Sequence, residues 1–152
     1  MENLADPTSR CVRPTRLFLG FEYRRILGRN KKWRPYYAPK LKKRTALLAK
    51  LKETFRENIS QPVEQVIPLI NPILRGWVNY FAIGDSSECF SFVRDWVEKK
   101  IRGHLMRARE RSGFGWKRWS RKWLYAELGL YNDYRLRRAW SLPKVHPAES
   151  VS

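Results

Sequence analysis

The sequence predicts a mainly α chain: an antiparallel three-helix bundle, preceded by a β-hairpin and followed by a basic, aromatic helical extension. Three observations predict it. From Lys40 onward, long segments repeat apolar residues at helical spacing. The breaks between those segments are short and carry Pro, Gly or capping residues, which favours antiparallel neighbours. Ahead of them, two short apolar and aromatic runs flank a Gly28-Arg29-Asn30 turn.

Residues 1–16 hold Pro7 and Pro14 with no period and are expected to form an irregular lead-in. Leu17 to Tyr23 suits a strand, and Trp33 to Tyr37 suits its return, giving a hairpin over residues 17–38. Two strands alone are marginal in water, so the hairpin needs a sheet or helix to pack on. The bundle is expected over residues 39–112. Its first helix runs from about Lys40 to Asn58, with Leu47, Leu48, Leu51 and Phe55 as its apolar stripe. Lys42, Lys43, Lys50 and Arg56 fall away from that stripe, answered only by Glu53 and Glu57.

Pro68 and Pro72 are expected to bend or divide the next apolar segment, because each removes a helical N–H. Asn71 then caps a helix that Pro72 opens at its first position and Gly84 ends. Ile70, Leu74, Trp77 and Phe81 make the apolar stripe of that helix, while Arg75 and Asn79 share another face. Gly76, in the middle, suggests close approach by another helix or by a ligand. Asp85 and Glu88 fit a capping box that opens the third helix, expected to reach about Arg111. Its seam is Phe90, Val93, Val97, Ile101 and Leu105, and its distal end carries Lys99, Lys100, Arg102, Arg107 and Arg109.

Gly113 and Gly115 break that helix and start the extension, residues 113–140. Trp116, Trp119 and Trp123 recur on one helical face, with Lys117, Arg118, Arg121 and Lys122 between them. The three Trp are read as packing on the bundle, with the cations left at the surface. Residues 141–152 form a tail.

The chain carries 32 Lys and Arg against 14 Asp and Glu, a formal net charge of +18. Surface pairing cannot cancel that surplus, so the expected partner is a polyanion, nucleic acid first. No apolar run approaches the ~20 residues needed to cross a bilayer, so no membrane partner is expected and a cytoplasmic location is read. The two Cys and two His are too widely spread for a zinc signature, and no cofactor is implied. Asp6, Asp85, Asp95 and Asp133 are isolated, whereas a two-metal polymerase or nuclease site needs closely placed carboxylates. Catalysis by this chain is not expected.

The stretch Ile70 to Phe81, INPILRGWVNYF, resembles the maturase-specific (X, or thumb) region of group II intron reverse transcriptases. The block Phe18-Leu19-Gly20-Phe21 looks like the last sequence block of that family's palm. The basic helix from Lys40, the helix from Asp85 and the segment GFGWKRWSRKWLYAELGLYNDYRL extend the likeness to about residues 17–142. The resemblance implies a thumb-like bundle that contacts structured intron RNA or a template–primer duplex, in support of splicing and reverse transcription. It also makes the hairpin a remnant of the palm. The family's Tyr-x-Asp-Asp polymerase motif does not occur in this sequence. The chain is therefore expected to be an RNA-binding module, a thumb subunit for a separately encoded palm, or the product of a truncated gene. The residues expected to contact nucleic acid are Lys42, Lys43, Lys50, Arg75, Asn79, Lys99, Lys100, Lys117, Arg118, Arg121 and Lys122.

Overall fold

The computed structural model describes residues 16–18, 20–110 and 115–137. Residues 1–15 of the lead-in, the tail, Gly113 and Arg138 lie outside them, whereas Arg16, the last residue of the expected lead-in, begins a strand. Three strands, β1 (Arg16–Phe18), β2 (Phe21–Leu27) and β3 (Trp33–Pro39), form an antiparallel sheet in that order. The expected hairpin is β2 and β3, paired from Phe21 with Pro39 to Leu27 with Trp33. The expected first strand, Leu17 to Tyr23, is however split by a turn at Gly20, so that its start belongs to β1, a short third strand antiparallel to β2. Four helices follow: α1 (Leu41–Glu57), α2 (Val63–Phe81), α3 (Ser87–Ala108) and the single-turn α4 (Arg121–Ala126). No helix among the described residues is long and apolar enough to cross a membrane.

The bundle core forms where the apolar stripes converge. Leu47, Leu51 and Phe55 of α1 meet Val66, Ile70 and Leu74 of α2 and Val93, Val97 and Ile101 of α3. Trp119, Leu124 and Leu130 close the same core from the C-terminal side. A second cluster, Val78, Phe81 and Phe90, seats the sheet, with the Phe21 and Phe81 rings 4.9 Å apart.

Three expectations about the helices need correction. Pro68 and Pro72 do not divide α2, which runs unbroken through both. Both prolines are exposed and share one face, as do the carbonyls they leave without a helical donor, so water can satisfy those carbonyls. Burial of Val66, Ile67, Ile70 and Leu74 on either side of the prolines holds the helix together. Asn71 therefore sits inside the helix and caps nothing.

Asp85 does not cap α3 either, since the cap position is Ser86 and carries no side-chain capping bond. Asp85 ties the sheet to the bundle instead. Its N–H donates to the Tyr37 carbonyl (2.7 Å), and its carboxylate accepts from the Tyr37 N–H (3.3 Å) and Arg34 Nη1 (2.9 Å). The exposed edge of β3 is thus paired rather than left open. Gly84 makes this approach possible. It has φ +74, and a Cβ there would stand 2.8 Å from the Tyr37 carbonyl oxygen.

The third correction concerns the tryptophans. Helix α4 begins only at Arg121, where the Ser120 hydroxyl accepts from the Trp123 N–H at 3.3 Å. Trp116 and Trp119 lie in the turn before it, so the three Trp share no helix. Trp119 is buried, Trp123 partly buried and Trp116 exposed.

What holds this turn and α4 against α3 is a carboxylate. Glu98 is 0% exposed. It accepts from Arg121 Nε (2.8 Å), the Tyr125 hydroxyl (2.7 Å) and Arg102 Nη1 (3.4 Å). Arg102, also buried, donates Nε to the Trp119 carbonyl at 2.8 Å and lies 4.1 Å from the centroid of the Trp116 ring. The hydrogen bond to Glu98 raises the Arg121 pKa. Burial, then the Glu98 contact, pushes the Tyr125 hydroxyl well above the ordinary phenol range.

Two outcomes follow from this network. Glu98→Ala strands the buried Arg102 charge and is expected to cost about 3–5 kcal/mol, read as a lowered urea midpoint. The raised Tyr125 pKa means that its contribution is complete below the unfolded phenol value of about 10 and is lost as pH rises beyond it. Denaturation at increasing alkaline pH should therefore narrow the stability gap between the parent chain and Tyr125→Phe.

Candidate nucleic-acid interface

Helix α2 divides its surface among three tasks because residues four apart share a face. One stripe, Ile70, Leu74, Val78 and Phe81, is core. A second stripe, Asn71, Arg75 and Asn79, faces the chain that follows α4. The Asn71 amide donates Nδ2 to the Gly129 carbonyl and accepts at Oδ1 from the Tyr131 N–H, both at 2.9 Å. Asn79 Oδ1 accepts from Arg137 Nη2 at 3.0 Å, and the Arg137 N–H donates to the Ala82 carbonyl at 2.6 Å. Arg75 is exposed, and its charge opposes the rise that burial and Asp133 impose on the Tyr131 pKa. Residues 128–137 thus lie along α2 as a strap.

The third stripe borders a groove. Pro72, Ile73, Gly76, Trp77 and Tyr80 of α2 face Lys43, Leu47 and Lys50 of α1 across an open cleft of about 770 Å³, with Gly20 at one end. Its floor is apolar and aromatic. Lys43 and Lys50 are exposed on the α1 side, and Lys42 next to them is exposed as well. A Cβ at Gly76 would meet nothing within 4 Å. The glycine therefore does not serve a close approach of another helix. Tyr80 is exposed, with its ring 6.1 Å from that of Phe21.

The expected contact residues fall into separate groups. The groove brings Lys43 and Lys50 together, but none of the cations of α3 or of the segment after it. On α3, Lys99 is exposed and the Lys100 ammonium lies 5.3 Å from the Trp96 ring. Lys117 and Arg118 are exposed in the turn before α4, with the Arg118 guanidinium 6.0 Å from the Trp119 ring. Lys122 is exposed and lines a second open depression of about 620 Å³ with Arg94, Arg121, Tyr125 and Asn132. There Asp95, 2.8 Å from Arg121 Nη2, and the buried Glu98 offset the cations. Arg121 and Asn79 are thus engaged within the chain.

The sequence reading passed over the cations of the β2–β3 hairpin, although alternating basic and aromatic residues marked them. Arg24 stacks on Tyr36, 4.5 Å from its ring centroid, and Arg25 lies 6.0 Å from that of Trp33. It also passed over the Glu98–Arg102 pair, for which the four-residue spacing on α3 was the available signal.

Residues 44–125 match the family model of the group II intron maturase-specific domain, more than half of the chain. No curated protein matches the chain. The match contains α2, α3 and the Glu98 network and excludes the hairpin.

Asn71→Ala is expected to release the strap locally. It removes two hydrogen bonds and leaves strap backbone groups unpaired, a loss of about 1–3 kcal/mol. Amide exchange should accelerate at Tyr131 while the amides of α1 keep their protection.

Proposed function

The chain belongs to the group II intron maturase-specific domain family, and on that premise we propose that it is an RNA-binding module that grips structured intron RNA. The observation that carries this reading is the α1–α2 groove, an aromatic and apolar floor beside Lys43 and Lys50, in a chain of net charge +18. Phosphates along an RNA strand meet Lys42, Lys43 and Lys50, while the floor takes sugar and base edges. Gly76 keeps the floor low, so that RNA can approach the α2 backbone. Arg75, Lys99, Lys100, Lys117, Arg118 and Lys122 supply further phosphate contacts. Asn79 and Arg121 act indirectly by holding the strap and α4 in place. The match to the maturase-specific domain supports a part in binding RNA.

A second reading has one observation in its favour. Among the described residues the outer edge of β1 is unpaired, and an unpaired edge is a template on which another strand can add. In that reading the chain serves as the thumb of a separately supplied palm, and adding it to a palm fragment should restore primer extension. No gain in extension would remove it.

Binding to a structured intron RNA, followed by fluorescence anisotropy over a salt series, tests the main reading. Affinity should fall steeply with salt, and replacing Lys42, Lys43 and Lys50 together by Gln should reduce the log–log slope by roughly 2–3. Absence of binding at low salt, or an unchanged slope in the triple variant, would contradict it.

A further inference from the structure

Outside the family match, the distal half of the β2–β3 hairpin carries a dense group of cations. Arg24, Arg25, Arg29, Lys31, Lys32 and Arg34 fall within eleven residues. Glu22 is 4.0 Å from Arg24, and Asp85 is 2.9 Å from Arg34. Arg29, Lys31 and Lys32 in the loop are exposed and have no ion-pair partner among the described residues. The loop is tight, with the Gly28 N–H donating to Lys32 O and Lys31 at φ 54, so these cations are presented on a defined turn.

The sheet register places an aromatic surface beside them. Side chains alternate between faces along a strand. Tyr23, Arg25 and Leu27 of β2 therefore lie on one face with their partners Tyr37, Pro35 and Trp33. The inner end of this face is seated on the bundle through Phe21 and the buried Pro39. The outer end is bare, with Trp33 58% and Leu27 47% exposed. An indole this exposed, with an arginine beside it and three unpaired cations a few residues away, matches the chemistry of an unpaired nucleotide: a flat base to stack and a phosphate to neutralise. A duplex, whose bases are already stacked, offers only the phosphates.

We propose that the tip of the β2–β3 hairpin is a second nucleic-acid contact, in which Trp33 stacks on an unpaired base while Arg29, Lys31 and Lys32 hold the adjoining phosphates. The proposal rests on the RNA-binding reading and adds to it the kind of RNA that the hairpin takes, a single-stranded loop or junction next to the structured region gripped by the bundle. The stacking side chain gives preference for unpaired bases, and the cations give strength that depends on salt.

The test uses the full chain with two labelled probes, a single-stranded oligouridylate and a blunt RNA duplex, titrated by anisotropy. Trp33→Ala should weaken binding of the single strand about tenfold, leave the duplex within about twofold, and leave the salt slope unchanged. Trp33→Phe should recover most of the loss. Replacing Arg29, Lys31 and Lys32 by Gln should lower the single-strand salt slope by roughly 2. Because Trp33 is exposed at the end of the sheet, near-parental melting temperatures are expected and would tie a loss to the contact. Single-strand affinity untouched by Trp33→Ala, or an equal loss on both probes, overturns the hairpin contact while RNA binding by the bundle stands. A chain that binds neither probe, or a hairpin whose variants change only association with anionic vesicles, overturns it as well. Retention of the bundle-dependent salt slope shows which of the two readings has failed.

Discussion

A carboxylate removed from water has to be compensated where it lies, and Glu98 sets that requirement for the whole C-terminal half. Leaving it unpaired would cost several kcal/mol. The compensation arrives from three places: Arg102 one turn along α3, Arg121 at the start of α4, and the Tyr125 hydroxyl one turn further on. Two of the three donors lie on α4. Satisfying Glu98 therefore docks a helix of six residues that would not be stable alone. Trp119, whose carbonyl takes the Arg102 Nε, is carried into the core by the same arrangement.

Once α4 is fixed, the chain beyond it runs along α2, and this decides how α2 can be used. Asn71 and Asn79 spend their amides on the strap. Pro72, Gly76, Trp77 and Tyr80 line the groove shared with α1. The family-like stretch thus divides between the strap and the groove. The groove inherits the part of the helix that the strap does not cover, with the lysines of α1 along its edge. At the other end Asp85 performs a similar service, pairing the β3 edge and setting the angle from which the basic hairpin projects.

Much of this was legible in the sequence. The positions of α1 and α3, the second half of α2 and most of the buried apolar residues followed from helical periodicity, because burial of one stripe is what makes such helices stable. The hairpin followed from its turn residues. The misreadings share a cause. Asn71 with Pro72, Asp85 with Glu88 and the Trp116–Trp123 repeat are local signals, and each was overridden by a partner far away in sequence. Asn71 is taken by Gly129 and Tyr131, Asp85 by Tyr37 and Arg34, and Trp119 by Arg102. A local pattern cannot reveal a competitor fifty residues away. The candidate site was legible as an excess of charge, but its grouping into a groove, a C-terminal patch and a hairpin tip needed the fold.

The central claim is that RNA lies along the α1–α2 groove while the strap face of α2 is reserved for assembly. Photo-crosslinking of the chain to a 4-thiouridine-substituted intron RNA, with the linked residues mapped by mass spectrometry, tests this most directly. Crosslinks are expected at Tyr80 and Trp77 and along α1. Crosslinks confined to Tyr131, Tyr134 and their strap neighbours, with the groove residues unlabelled, would contradict it.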